Sequence, residues 1–430
     1  MKKKINVITL GCSKNLVDSE LFLSQMVANG YEVSHDSENS DARIVAINTC
    51  GFILDAKEES VNTILEYADA KKRGLIDKIF VFGCLSERYK DDLMAEIPEV
   101  DGFYGKFQVR KMVEDLKADY KMSLTRQRYL TTPSHYAYLK ISEGCNRTCS
   151  YCAIPRMTGV HVSIPIEDLV SEARGLAEKG VKELLVIAQD LSYYGIDLYK
   201  ESKLARLVSE LSEIEGIEWI KLHYAYPANF PYNLLPVMNQ KHNVARYLDI
   251  ALQHCSDKML KLMRRNTTKA ETINLINRIR KEVPGVHLRT TILVGHPGET
   301  EEDFEELKAF VRQMRFERLG VFPYSHEEDT HAFGLADDIP EKVKHARASQ
   351  LMELQEEISR ELNLGKVGKC FVVLLDRIEG EYFVGRTEYD SPEIDNEVLV
   401  KLSLKQKIGD FCEVKITGAD SFDLFGCITE

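Results

Sequence analysis

The sequence lacks the features of several protein classes. No run approaches the roughly 20 apolar residues that a membrane-spanning helix needs. After three lysines near the amino terminus, an apolar stretch of about six residues ends at Ser13, too short for the core of a signal peptide. Positive charge is not in excess either, since 56 Lys and Arg stand against 68 Asp and Glu. We therefore expect a cytoplasmic protein without broad affinity for nucleic acid, which relies on clustered cations.

Common hydrolase and nucleotide-binding motifs are also missing. The 11 histidines form no His-x3-His pair, and neither Gly-x-Ser-x-Gly nor a Walker-type glycine loop occurs. What is present is an ordinary globular composition, with 44% hydrophobic and 29% charged residues. At roughly 150 residues per domain, the 430 residues correspond to two or three domains.

The amino-terminal part alternates between strand and helix patterns. Strand-like runs at 5–10, 43–48 and 78–82 are separated by helical patterns at 16–28 and 56–72. This alternation is typical of a parallel sheet with helices on both faces. We therefore predict a parallel α/β domain in this part of the chain.

Six further strand-like runs follow, and helical patterns lie between most of them. The runs cover residues 136–141, 183–188, 219–223, 247–252, 287–294 and 318–323. Six βα-like units fit a partial (β/α) barrel better than a complete eight-stranded one. A long helix that begins near Pro340 and ends near Asn363 then leads to β-branched and aromatic runs, which predict a small antiparallel β-barrel. The predicted fold is α/β multidomain, with domains at 1–125, 134–364 and 366–430.

Three of the ten cysteines form the run Cys145-x3-Cys149-x2-Cys152 directly after a predicted strand. Three thiolates on one loop can bind one face of an iron–sulfur cluster. Such clusters usually take four cysteines, so a missing fourth leaves one iron open for an exchangeable ligand. A zinc site would need a second Cys-x2-Cys or a His-x3-His pair nearby, and neither is present. The run favours a catalytic iron–sulfur cluster over zinc or coincidence.

Three other cysteines each follow a predicted strand of the first domain. Cys12, Cys50 and Cys84 stand at these strand ends, each beside a glycine. The carboxyl ends of parallel strands share one edge, where ligands bind, so the three thiols are expected to converge there. Three unrelated buried cysteines are the alternative, because free cysteine is often buried. The repeated position favours a second metal site.

The remaining four cysteines have no partner at ligand spacing. They are Cys255, Cys370, Cys412 and Cys427. We expect all four to pack in cores, with Cys255 also placed where it could face the interior of the predicted barrel.

These motifs resemble a known family. The run Cys145-x3-Cys149-x2-Cys152, with the aromatic Tyr151 before its last cysteine, resembles the radical-SAM signature. Together with the amino-terminal cysteines and the terminal β-barrel, which resembles a TRAM domain, the chain is similar to the methylthiotransferases over residues 4–430.

Two branches of that family differ in substrate. One modifies an adenosine of tRNA, and the other modifies an aspartate in protein twelve of the small ribosomal subunit. Residues 11–20, GCSKNLVDSE, and residues 385–395, GRTEYDSPEID, resemble the second branch. Residues 366–430 contain eight Lys and Arg and 13 Asp and Glu. Such an acidic barrel suits a basic ribosomal protein rather than RNA, although an ordinary solvated acidic surface would look the same.

The resemblance implies two 4Fe-4S clusters and S-adenosylmethionine as co-substrate. Cys145, Cys149 and Cys152 would hold the cluster at which S-adenosylmethionine is cleaved to a 5′-deoxyadenosyl radical, which removes a hydrogen from the β-carbon of the aspartate. Cys12, Cys50 and Cys84 would hold the cluster that supplies the sulfur. No catalytic residue is expected beyond these six cysteines.

Further expectations concern ligands and partners. Tyr151 is a candidate contact for the adenine, and Gln189 for the methionine or ribose part. The alternatives without a ligand are that Tyr151 is a packed aromatic ring and that Gln189 lies at a solvated strand end. An electron donor such as flavodoxin or ferredoxin and the ribosomal protein are the expected partners. A tRNA adenosine methylthiotransferase, an electron-transfer protein and a non-catalytic ribosome-binding module are the alternatives.

Overall fold

The computed structural model describes residues 3–429. Its strands are β1 (Lys4–Thr9), β2 (Glu32–His35), β3 (Ile44–Thr49), β4 (Lys78–Gly83), β5 (Gly102–Phe103), β6 (Tyr136–Lys140), β7 (Ser142–Glu143), β8 (Val162–Ser163), β9 (Glu183–Ile187), β10 (Trp219–Ala225), β11 (Val244–Gln253), β12 (His287–Val294), β13 (Arg318–Pro323), β14 (Cys370–Glu379), β15 (Tyr382–Thr387), β16 (Glu397–Lys401), β17 (Phe411–Ala419) and β18 (Asp423–Ile428).

The α-helices lie mainly between these strands. They are α1 (Ser13–Ala28), α2 (Leu54–Lys72), α3 (Cys84–Arg88), α4 (Lys90–Glu96), α5 (Val109–Asp115), α6 (Ile154–Thr158), α7 (Ile166–Glu178), α8 (Ile196–Tyr199), α9 (Leu204–Leu211), α10 (Leu234–Gln240), α11 (Asp257–Leu262), α12 (Lys269–Glu282), α13 (Glu301–Met314) and α14 (Glu341–Leu364).

The first sheet is parallel and covered by helices on both faces. Its strand order is β2-β1-β3-β4-β5. Alternate residues of a strand point to opposite faces. Phe80 of β4 therefore packs with Phe22 of α1, whereas Ile79 packs with Ile64 of α2. The predicted parallel α/β domain is confirmed.

The second sheet has six parallel strands in the order β13-β12-β11-β10-β9-β6. Helices α7, α9, α12 and α13 contribute residues to the largest core of the protein, which lies against this sheet. Cys255 is fully buried in that core, in agreement with the expectation of core packing. The partial barrel predicted from six βα units is confirmed.

The terminal barrel is closed, with the strand order β14-β15-β16-β18-β17. Its pairs are antiparallel except for β16 with β18. Cys412 is buried in the core of this barrel, but Cys370 and Cys427 are exposed. The expectation that these two would pack in a core was wrong. Both pair in register with Lys415, and the alternation of strand residues turns all three outward.

The last two residues of β15 and the segment that follows them attach the terminal barrel to the six-stranded sheet. We call residues 386–396 the docking segment. Arg386 binds Glu183 at the start of β9 through two hydrogen bonds of 2.7 and 3.1 Å. Arg318, at the start of β13, binds the buried carboxylate of Asp390. Because these partners lie at the beginnings of the strands, the docking segment covers the amino-terminal edge of the sheet and leaves the carboxyl edge clear.

A buried ion pair joins the first two domains. Arg128, in the segment between the two sheets, binds Glu20 of α1 and also approaches Glu172 of α7, at 3.3 Å. All three side chains are almost completely buried. The first domain is therefore held against the second by groups that would be costly to leave unpaired.

Candidate active site

The amino-terminal triad, Cys12, Cys50 and Cys84, lies at the carboxyl edge of the first sheet. Cys12 immediately precedes α1, Cys50 follows β3, and Cys84 is the first residue of α3 after β4. Strands β1, β3 and β4 are neighbours, so their ends bring the three cysteines to one edge. The Sγ atom of Cys84 lies 3.7 Å from Oδ1 of Asn15, in the first turn of α1.

Glycine at position 11 permits this close approach. Gly11 has a φ of +90°, in the region that side chains disfavour. A Cβ atom at this position would lie 2.7 Å from Cβ and 2.9 Å from Sγ of Cys50. A larger residue would push the segment with Cys12 away from Cys50.

The thiols of this triad have different electrostatic surroundings. Burial raises the pKa of Cys50 to about 11 and that of Cys84 to about 12. Desolvation also opposes ionisation of Cys12, but the ammonium group of Lys14, the backbone N–H of Asn15 and the ammonium group of Lys106 together outweigh it and lower the pKa of Cys12. Cys12 is thus the member of this triad that is most readily ionised.

The loop triad, Cys145, Cys149 and Cys152, lies on the segment between β7 and α6. The backbone N–H of Arg147 donates to Sγ of Cys145 at 3.4 Å, and the N–H of Cys152 donates to the carbonyl of Cys149 at 3.2 Å. Nη1 of Arg265 lies 3.6 Å from Sγ of Cys149. Burial raises the pKa of Cys145 to about 11 and raises that of Cys152 further.

The two triads lie on surfaces that face each other. Helix α3, which begins at Cys84, packs against α6, which begins two residues after Cys152. Beside this contact, Nζ of Lys106 lies 3.0 Å from Asp18 and 3.5 Å from Glu143. Lys140 of β6 binds the same two carboxylates. Opposite charges therefore connect the first domain to the cysteine loop of the second.

The spacing of these ligands differs from that of a site for one metal ion. Between residues 3 and 429, no three His, Cys, Asp or Glu side chains are close enough to bind a single ion. A cluster of several irons takes its cysteines from a wider area than one zinc ion, whose bonds to sulfur are about 2.3 Å long. The all-thiol donor sets of both triads suit an iron–sulfur cluster.

The two weaker candidates lie near the loop triad. The hydroxyl group of Tyr151 is 3.5 Å from Nη1 of Arg265, and burial raises the pKa of that hydroxyl above its usual range. Nε2 of Gln189, two residues after the end of β9, donates to Glu143, while its Oε1 atom is buried without a hydrogen-bond partner.

Sequence reasoning missed several side chains of this region. The guanidinium groups of Arg265 and Arg147 each lie 4.0 Å from the centroid of the Tyr226 ring. Lys106 reaches Glu143 from 37 positions earlier in the chain. Arg147 lies within the cysteine run itself, but Arg265 and Lys106 have no ligand-like spacing to the cysteines in the sequence. Only the folded contacts bring them to the cysteines.

Three family models match successive parts of the chain. Residues 4–105 match a family described as uncharacterized protein family UPF0004. Residues 139–311 match the radical SAM superfamily, and residues 367–428 match the TRAM domain. The amino-terminal triad lies within the first match and the loop triad within the second.

Curated relatives match over nearly the whole length. The ribosomal protein uS12 methylthiotransferase RimO of Bacteroides thetaiotaomicron is 57% identical over 429 residues, which cover 99% of this chain and 98% of that protein. RimO of Flavobacterium johnsoniae is 58% identical over 427 residues, with 99% and 98% covered. The chain belongs to the RimO family. Membership of this radical SAM family implies iron–sulfur chemistry with S-adenosylmethionine.

Solved structures resemble this RimO-family fold at low sequence identity. The radical S-adenosylmethionine methyltransferase TsrM from Kitasatospora setae is 13% identical, with a TM-score of 0.56 over 75% of this chain and 72% of that chain. The cobalamin-dependent S-adenosylmethionine radical enzyme OxsB is 12% identical, with a TM-score of 0.53 over 83% and 56%. At these identities the likeness concerns the fold alone. Among residues 3–429, no helix is long and apolar enough to cross a membrane.

Proposed function

We propose that this chain attaches a methylthio group to the β-carbon of an aspartate in ribosomal protein uS12, using S-adenosylmethionine. The observation that carries the proposal is the 57% identity over full length to a uS12 methylthiotransferase. The facing cysteine triads support it, because the reaction needs both a radical generator and a sulfur donor near one substrate atom. The acidic terminal barrel suits a basic ribosomal protein.

Two 4Fe-4S clusters fit the two triads. Cys12, Cys50 and Cys84 would hold one cluster, and Cys145, Cys149 and Cys152 the other; each set leaves one iron without a cysteine. When bound, the clusters supply the electron that cleaves S-adenosylmethionine and the sulfur that is transferred. A flavodoxin or a ferredoxin is the proposed electron donor, and the cytoplasm, where thiols stay reduced, is the proposed location.

The chain's own groups set the charge around the loop triad. Arg265 is held by the carbonyl of Ala251 and contacts both Cys149 and Tyr151. Its guanidinium balances the negative charge of the thiolate ligands, and the adjoining ring of Tyr226 shields this region from water. Tyr151 is proposed to contact the adenine of S-adenosylmethionine.

Gln189 is proposed to bind the methionine or ribose part of the same molecule. Its Nε2 group is fixed by Glu143, which orients the side chain. The free Oε1 acceptor can then take a hydrogen bond from an amino or hydroxyl group of the ligand. The proposed domains are 1–125 for the sulfur-donor site, 134–364 for radical generation and 366–430 for binding the ribosomal protein.

A single anaerobic turnover assay tests the function. Reconstituted protein receives reductant, sulfide and S-adenosylmethionine together with a uS12 peptide and a tRNA, and mass spectrometry examines both substrates. We expect a methylthio mass gain on the aspartate of the peptide and none on the tRNA. A gain on tRNA alone would contradict the proposal, and deoxyadenosine without any gain would leave radical chemistry with a different substrate.

A further inference from the structure

Lys14 extends from the amino-terminal triad toward the second sheet. It follows Cys12 by two residues in the first turn of α1, and its Nζ atom lies 3.7 Å from the centroid of the Tyr224 ring on β10. Two residues further along, Tyr226 packs on Arg265, which contacts Cys149. The Lys14 ammonium therefore lies in the region between the two triads.

The backbone beneath Lys14 is strained. Tyr224 has a φ of +67°, although the left-handed region is unfavourable for a bulky residue. Such strain persists only where the surroundings impose it, and it occurs preferentially at ligand-binding positions. The strain places the Tyr224 ring beneath the ammonium group at the carboxyl end of β10.

Lys14 has no carboxylate at ion-pair distance, unlike its neighbours, although its charge lowers the pKa of the Cys12 thiol and opposes the rise in the pKa of the buried Asp249 carboxyl. Lys106 and Lys140, at the same junction, both bind Asp18 and Glu143. Across residues 3–429, no carboxylate oxygen lies within 4.0 Å of Nζ of Lys14. The first turn of α1 contains no acidic side chain.

A second polar group beside Lys14 also lacks a partner. The hydroxyl group of Ser13 is buried and makes no hydrogen bond within the described chain. A hydrogen bond between two charged groups is stronger than a cation–π contact. An incoming carboxylate would therefore bind this position more strongly than the tyrosine ring does.

We propose that Lys14 and Ser13 form a carboxylate subsite that holds the side chain of the aspartate to be modified. This inference rests on the proposed function. The carboxylate carbon of aspartate is bonded directly to the β-carbon, so fixing the carboxylate at Lys14 fixes the reacting atom between the triads. A neutral amide or a nucleobase could accept a hydrogen bond from the Lys14 ammonium, but it has no negative charge to pair with that ammonium. Lys14 is thus a positioning residue that selects an acidic side chain.

Two peptides that differ in one functional group test the subsite. One uS12 peptide carries the target aspartate, and the other carries asparagine, which has the same shape without the charge. Dissociation constants are measured by fluorescence anisotropy, and KM, kcat and deoxyadenosine formation by turnover. The reconstituted wild type is expected to bind the aspartate peptide about 10- to 100-fold more tightly than the asparagine peptide.

Substitution of Lys14 should remove that preference. Lys14→Ala and Lys14→Gln are expected to bind the two peptides equally and to raise KM for the aspartate peptide about 10- to 100-fold, with deoxyadenosine still formed. Lys14→Arg, which keeps the positive charge, should recover most of the preference. Lys111→Ala is the control, since Lys111 is an exposed residue of the same domain without an ion pair.

The outcomes separate this inference from the proposed function. If the wild type does not thiolate the aspartate peptide, the proposed function is wrong. If it does, but Lys14→Ala or Lys14→Gln retains the preference for aspartate over asparagine, the subsite is wrong and the function stands. Iron content and visible absorbance show which variants contain iron–sulfur clusters. Fluorescence anisotropy still compares the binding of the two peptides to Lys14→Gln and to Lys14→Arg.

Discussion

Cys149 and Cys50 belong to different triads. Replacing each of them with alanine is therefore expected to abolish a different step of the reaction. Cys149→Ala removes a ligand of the proposed radical-generating cluster and should abolish deoxyadenosine formation. Cys50→Ala should leave deoxyadenosine formation intact and abolish thiolation, because only the proposed sulfur donor is lost. Chromatography of the nucleoside and mass spectrometry of the peptide check both. Cys427→Ala, at an exposed cysteine of the terminal barrel, is the control that should retain both activities.

Asp249 of β11 is a buried carboxylate without a hydrogen bond to either oxygen. Burial is the main cause that raises its pKa to about 6, and Arg289, 3.8 Å away, only partly offsets it. The folded state therefore binds the proton of the Asp249 carboxyl more tightly than the unfolded state does. The contribution of this group to the free energy of unfolding is complete below about pH 4 and is lost as the pH rises through about 6. Between pH 4 and 7, the free energy of unfolding should therefore fall by roughly 2–3 kcal/mol less in Asp249→Asn than in the wild type, as urea unfolding can measure. An unchanged pH profile in the variant would contradict the assignment.

At the scale of elements, sequence patterns predicted most of the strands. The bounds of β12 and β13 agree with the patterns at 287–294 and 318–323, because each buried parallel strand is a continuous apolar run between polar loops. Strand β2 was missed because EVSH is a short edge strand without hydrophobic alternation, and β5 because it has only two residues.

The contacts between elements could not be predicted in the same way. The positions of Cys12, Cys50 and Cys84 at the ends of predicted strands indicated that they lie at one edge of the sheet, because the topology of a parallel sheet places all carboxyl strand ends there. No sequence pattern links Arg265 to Cys149, which is 116 positions away, or predicts that Cys370 and Cys427 face outward. Those features depend on how helices and strands pack, which local periodicity does not encode.

The buried pair of Arg128 and Glu20 tests the attachment of α1 to the second domain. Arg128→Met leaves the Glu20 carboxylate buried without its cation, so we expect a loss of about 3–5 kcal/mol in the free energy of unfolding. Arg110→Met removes an exposed ion pair with Glu114 and should cost less than about 1 kcal/mol. Chemical denaturation measures the free energy of unfolding of both variants. Equal losses would show that the buried pair stabilises the protein no more than the exposed pair does.

At the scale of the molecule, Asp390 connects the terminal barrel to the six-stranded sheet. Burial opposes ionisation of the Asp390 carboxyl, but the charges of Arg318 and Lys366 and a hydrogen bond from Thr387 outweigh it and hold the pKa of that carboxyl well below its usual range. Asp390→Asn should weaken the contact by about 3 kcal/mol and speed hydrogen exchange in the docking segment, as mass spectrometry can measure. Glu379→Gln, at an exposed position on the same barrel, is the control. Unchanged exchange in Asp390→Asn would contradict this role.

The docking segment also has a consequence for how the protein is made on the ribosome. Lys221 is completely buried, and the backbone carbonyls that it binds belong to residues 166 and 169 positions further along the chain. A chain that emerges amino terminus first has its six strands before it has these partners. The amino-terminal edge of the second sheet therefore stays open to water until the docking segment has been made.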